Sequence, residues 1–190
     1  GGSDYFSLPI GYVYGYEVYI EDVLFINQFG GDDVSRPQVR DIIMSNNVTR
    51  CGIEKNNGGD FYATLVEKDL KEKGYRCHIT THNAPTNKSK RDRILACQNE
   101  IKGIASESNT YRIYFKNFDK IKGNRQYQEA MNNLFKWNQN PSVQKKQHDD
   151  FPDSLAGMIT NVLGGKAKGV AKSNVTASAL GIWQLLRNKV

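Results

Sequence analysis

The 190-residue sequence predicts an α/β layered domain, and three observations carry the prediction. An aromatic and β-branched stretch opens the chain and is broken once, at Gly15. Short strand-like runs then alternate with segments whose apolar residues recur at helical spacing, which favours layered α/β over a sandwich. No internal repeat is present, which excludes a solenoid or propeller.

Taken in order, Tyr5 to Tyr14 and Tyr16 to Ile26 read as the two arms of a hairpin with a tight turn at Gly15. In the second arm Val18, Ile20 and Val23-Leu24 alternate in part with Glu17, Glu21 and Asp22, leaving one face wet. Asn27 to Asp33 reads as a loop, Ser35 as an N-cap and Pro37 as an early-turn residue of a helix carrying Val39, Ile42 and Ile43. Thr49 to Ile53 is a short strand ending at Glu54, followed by a sharp turn at Asn56-Asn57-Gly58-Gly59. Phe61, Leu65, Val66 and Leu70 then mark a helix that Gly74 closes. Tyr75 to Thr81 reads as a strand and His82 to Lys90 as a polar loop. Lys90 to Ile104 reads as one helix with Ile94, Leu95, Ile101 and Ile104 on a common face. Tyr111 to Phe115 is a short strand, and Tyr127 to Trp137 a helix turning Met131, Leu134 and Phe135 inward. A loop over Asn138 to Gln147 leads to a last helix, Ser154 to Leu163. Residues 1–163 form the domain; 164–190 form a basic tail, Gly/Ala/Lys-rich and mobile over Gly164 to Ser178, with a short terminal helix over Leu180 to Leu186.

Composition narrows the function. With 8 Phe, 10 Tyr and 2 Trp the chain can fill a core, so disorder is excluded. No apolar run reaches the ~18 residues a membrane span requires, and Gly1-Gly2-Ser3-Asp4 carries neither the basic nor the apolar part of a secretory signal. The net charge is +6, which favours a polyanionic partner only weakly. Cys51, Cys77 and Cys97 are odd in number and without C-x-x-C spacing, and read as reduced thiols. The glycosylation-type triplets at Asn47, Asn87 and Asn174 read as chance in a chain without a secretion signal.

Several residues could carry chemistry. Glu54 stands at the carboxyl end of a strand beside a glycine turn, where α/β sheets bind ligands, although such a glutamate is more often simply solvated. Asp149 and Asp150 precede a helix and read first as N-caps, with Pro152 in the first turn. Two adjacent carboxylates also repel, and a hard divalent cation relieves that repulsion. Asp4, before the first strand, is by itself a turn residue. His78 and His82 lie at i, i+4 in a strand and loop, which does not bring them together on zinc. No G-x-S-x-G is present, and Gly165 to Ser173 fails the spacing of a phosphate loop. Lys68, Lys71, Lys73, Arg76, Lys88, Lys90, Arg91 and Arg93 outnumber Asp69, Glu72 and Asp92 in one stretch. A solvated helix face explains part of this excess, and a sequence-blind phosphate groove the rest.

These pieces, in this order, resemble the nuclease domain of the large terminase subunit of tailed bacteriophages. The residues that carry the resemblance are Gly2-Ser-Asp-Tyr-Phe6, Tyr19-Ile-Glu-Asp-Val23, Ile53-Glu-Lys-Asn-Asn-Gly-Gly59, Lys90-Arg-Asp-Arg-Ile94 and His148-Asp-Asp-Phe-Pro-Asp-Ser-Leu-Ala156. Together they span Asp4 to about Leu163. The resemblance implies an RNase H-like fold, a mixed central sheet flanked by helices with an acidic metal cluster at one edge. It implies an endonuclease that cuts concatemeric double-stranded DNA with two Mg²⁺ or Mn²⁺ ions. Glu54 and Asp150, with Asp149 beside it, would be catalytic metal ligands, and Asp4 an accessory acid. Lys90 and Arg93, with Lys88 and Arg91, would meet DNA at a basic helix start. The family's leading catalytic aspartate lies on a strand just before the position of Asp4, a strand this sequence does not include; either Asp4 substitutes for it or, on the favoured reading, a sheet short of one strand and impaired activity are expected. The partners implied are an N-terminal ATPase domain, a small terminase subunit and the portal, in the cytoplasm of a bacterial host rather than in the virion. Two other readings remain: a resolvase or recombinase on the same fold, and a non-catalytic docking domain of a packaging motor.

Overall fold

The computed structural model describes residues 5–27, 32–55, 59–83, 86–104, 110–137, 148–164 and 182–184. They form a mixed sheet flanked by helices. The strands are β1 (Tyr5–Tyr14), β2 (Glu17–Asn27), β3 (Arg50–Glu54), β4 (His78–His82), β5 (Arg112–Phe115) and β6 (Ile182–Gln184). Their order across the sheet is β4-β3-β6-β1-β2-β5. β1 and β2 are antiparallel, β5 runs parallel to β2 and β4 parallel to β3. β6 is parallel to β1 and antiparallel to β3.

The hairpin forms as its sequence demands. Gly15 sits at φ 59°, a left-handed turn conformation open to glycine at no steric cost. The register slips between Ile10 and Gly11, leaving Glu21 of β2 as the extra residue of a bulge. Glu21 then pairs with Lys116 at the end of β5.

Successive residues of β1 face opposite layers. Phe6 meets Tyr62 of α2 (Gly59–Glu72), whereas Ser7 shares a 2.8 Å hydrogen bond with Ser154 of α7 (Asp150–Gly157). Ser154 donates its own proton to the Phe151 carbonyl, so Ser7 is the donor in that pair. With helices on both faces, Ser7 to Gly11 are all buried, a pattern a one-sided strand cannot show. The core joins Leu8, Ile10, Val18, Ile20 and Val23 to Val66 and Leu70 on one side and to Phe151, Leu155 and Met158 on the other.

The remaining helices are α1 (Asp32–Ser45), α3 (Lys90–Ala96), α4 (Gln98–Ile101), α5 (Phe118–Ile121) and α6 (Arg125–Lys136). α6 carries the fully buried Tyr127, whose hydroxyl donates to the Ile20 carbonyl at 2.8 Å and accepts from the Lys116 amide at 3.1 Å. Among the described residues no helix is long and apolar enough to cross a membrane.

The structure corrects the expected elements at several points. α1 begins at Asp32, not Ser35; Pro37 lies inside it, and Ser35 is buried where its hydroxyl accepts from Tyr62 rather than capping the helix. The expected helix over Lys90 to Ile104 is two short ones. They break at Cys97, which is buried with its thiol 3.9 Å from the Ala156 carbonyl, and Gly103 at φ 71° ends the second. Ile104 is therefore exposed, not part of a common face. Phe135 points outward at 76% exposure, and Phe61 is exposed as well. The fourth strand starts at His78 and includes His82. The last helix starts at Asp150 and loosens into a π-helical turn over Met158–Val162. Where a terminal helix was expected, Ile182–Gln184 is a strand, because its backbone groups find ladder partners on both β1 and β3.

Candidate metal centre

Glu54 is delivered to the site by close packing. β3 ends there, and α2 starts at Gly59 against the same backbone. A β-carbon at Gly59 would fall 1.8 Å from the Glu54 carbonyl oxygen, so only glycine lets the helix start this close to the strand end. On the other side Glu54 lies opposite His82 in the β3–β4 register, and the Lys55 amide donates to the His82 carbonyl at 2.9 Å.

The aspartates come from the start of α7. Asp149 occupies the N-cap position but makes no capping hydrogen bond. Its carboxylate turns instead to Lys90, 3.2 Å from Nζ. Asp150 lies 3.4 Å from the same ammonium and accepts a 3.1 Å hydrogen bond from the Tyr5 amide at the head of β1. The pair thus sits where helix capping places it, at the cap and in the first turn, but without a capping hydrogen bond, and both carboxylates face Lys90 of α3.

α3 is placed to meet them. Ser89 caps it in a reciprocal box, accepting from the Asp92 amide while its own amide donates to the Asp92 carboxylate. This sets Lys90 and Arg93 one turn apart on one side. The Arg93 guanidinium grips Asp153 in a fork, with Nε and Nη2 donating at 2.9 and 2.6 Å. Its Nη1 lies 3.9 Å from Glu54. Both members of the Arg93–Asp153 pair are nearly buried, at 12% and 11% exposure.

The result is four carboxylates, Glu54, Asp149, Asp150 and Asp153, interleaved with two cations. Burial pushes the Asp153 carboxyl above its ordinary value, and Arg93 only partly offsets the push. Burial pulls the Lys90 ammonium down, but Asp149 and Asp150 together outweigh it and hold Lys90 above the usual lysine value. His82 is lowered by burial, with Glu54 opposing and Arg93 assisting. Its Nε2 is shut off from solvent without a hydrogen-bond partner among the described residues.

Of the residues singled out in the sequence, Glu54, Asp149, Asp150, Lys90 and Arg93 thus come together. Asp4 lies outside the described residues. Lys88 is exposed two residues before the cluster, and Arg91 lies 3.7 Å from Asp92. Lys68 and Lys71 pair with Glu72 and Glu67 one turn away on α2, the solvated-face part of the basic excess. Asp153 and His82 were not among the site candidates. Asp153 had a signal, standing three residues after Asp150 and so on the same helix face. His82 had none before the register of β4 was known.

In kind, the donors suit a hard divalent cation: they are carboxylate oxygens, two of which already close on one positive charge. In arrangement, that place belongs to the lysine, and among the described residues no group of three or more His, Cys, Asp or Glu is set to hold a metal ion. Comparison with protein-family models, with characterised proteins and with solved structures finds no match to this chain.

Proposed function

We propose that this domain is a divalent-metal-dependent endonuclease on an RNase H-like fold, acting on double-stranded DNA in phage genome packaging. One observation supports the reading above the others. Glu54 and the Asp149–Asp150 pair, about 95 residues apart in sequence, pair with cations one turn apart on α3, Glu54 with Arg93 and the aspartates with Lys90.

Glu54, Asp149 and Asp150 would hold Mg²⁺ or Mn²⁺. When bound, such a pair of ions supplies the Lewis acidity that activates water and stabilises the leaving 3′ oxygen of a phosphodiester. The chain's own residues do the rest. The Gly59 contact fixes the backbone of Glu54, the Tyr5 amide orients Asp150, and Arg93 ties Asp153 to Glu54 across the site. Lys88 and Arg91 would touch phosphates without reading sequence. In the full protein an ATPase domain, a small terminase subunit and the portal would be the partners, in the host cytoplasm.

The test is cleavage of supercoiled plasmid in Mn²⁺. Glu54→Ala and Asp150→Ala should each abolish nicking while DNA retention changes little. Undiminished cutting by both variants would overturn the assignment.

A further inference from the structure

Lys90 was expected to lie on DNA. In the structure its ammonium bridges Asp149 and Asp150, at 3.2 and 3.4 Å. We infer that Lys90 is a resident counter-ion of the carboxylate pair, which a divalent ion must displace, so that this side chain sets the metal affinity of the site. The inference rests on the metal-binding reading above and adds its control.

Three features point to this role. A single ammonium within reach of both oxygens occupies the position at which a cation shared by the two carboxylates would stand. It does so from half-exposed surroundings, the Lys90 side chain being 48% exposed, so four rotatable bonds can carry it outward without unpacking the core. Arg93 is unlike it: forked on Asp153 and nearly buried, it is the fixed cation of the cluster, whereas Lys90 makes one-point contacts. The charge count agrees. Four carboxylates against two cations leave a deficit that a divalent ion corrects more fully than a lysine does.

The consequence is competitive. A metal that binds only when Lys90 is swung away sees its affinity reduced by the fraction of time the lysine is out. For an ion pair of this exposure that fraction is roughly one fifth, so removing the ammonium should tighten binding about fivefold.

Calorimetric titration of Mn²⁺ alone into the full chain at neutral pH tests this, with circular dichroism confirming that each variant is folded. Lys90→Met keeps the aliphatic stem and should bind Mn²⁺ about fivefold more tightly. Lys90→Arg should bind it more weakly than the wild type, because a guanidinium fork spans two carboxylates better than an ammonium. A purely structural lysine would not move the two variants in opposite directions. Equal affinity in all three proteins, or weaker binding by Lys90→Met, overturns the counter-ion role and leaves the metal site standing. Absence of Mn²⁺ binding in both wild type and Lys90→Met removes the metal site and the counter-ion role together.

Discussion

Gly59→Ala is the substitution on which the placement of Glu54 depends most directly. The added methyl would lie 1.8 Å from the Glu54 carbonyl oxygen and 2.9 Å from its carbon, both backbone atoms that no rotamer change can clear. Ordinary contact needs about 3.4 Å, so the start of α2 must retreat from the end of β3 by about 1.5 Å. Overpacking of this kind costs typically 1–3 kcal/mol, and rigid backbone on both sides puts this case near the top, about 3 kcal/mol. For a domain of this length that is roughly 6–12 °C in Tm. Thermal unfolding followed by circular dichroism measures it, and Gly123→Ala is the control, since a β-carbon there meets nothing within 4 Å. A Gly59→Ala protein that melts within about 1 °C of the wild type would refute the close-approach argument, and with it the claim that this glycine holds Glu54 in position.

Three further outcomes are expected. Arg93→Met strips a nearly buried carboxylate of its fork and should cost about 3–5 kcal/mol in urea unfolding, with Asp153→Leu in the same chain recovering much of the loss. The pH dependence has a definite sign: Asp153 is held above its ordinary value in the folded state, so the native form takes up the proton preferentially. Losing Arg93 raises that value further, and the deficit of Arg93→Met should therefore shrink as pH falls from 7 towards 4. Tyr127→Phe leaves the Ile20 carbonyl and the Lys116 amide without their shared partner and should lower stability by about 1–3 kcal/mol, measured by the same unfolding.

The hairpin, the strand ending at Glu54 and the α2 helix were legible because local chemistry decides them: Gly15 and Gly74 take left-handed conformations, and Val66 and Leu70 bury one face. Where the expectation failed, tertiary contact overrode local pattern. Phe135 has the spacing of an inward residue but is left exposed, while Leu134 beside it packs against the core. Ile182–Gln184 is apolar enough for either structure and becomes a strand because two edges offer it partners. In the site, acidity and spacing pointed to Glu54, Asp149 and Asp150. Nothing in one dimension shows that Lys90 and Arg93 face those carboxylates, since that depends on how α3 packs against α7.

The position of β6 has a mechanical consequence. Glu54 rides on the β4–β3 half of the sheet, while Asp149 and Asp150 ride on α7, which packs on β1 in the other half. Among the described residues the ladder joins those halves through Ile182–Gln184, which engage Ile10–Tyr12 on one side and Arg50–Cys51 on the other. A small shear along that seam would alter the gap between glutamate and aspartates while leaving either plate intact. The spacing of the acids is thus tied to the alignment of the two halves of the sheet.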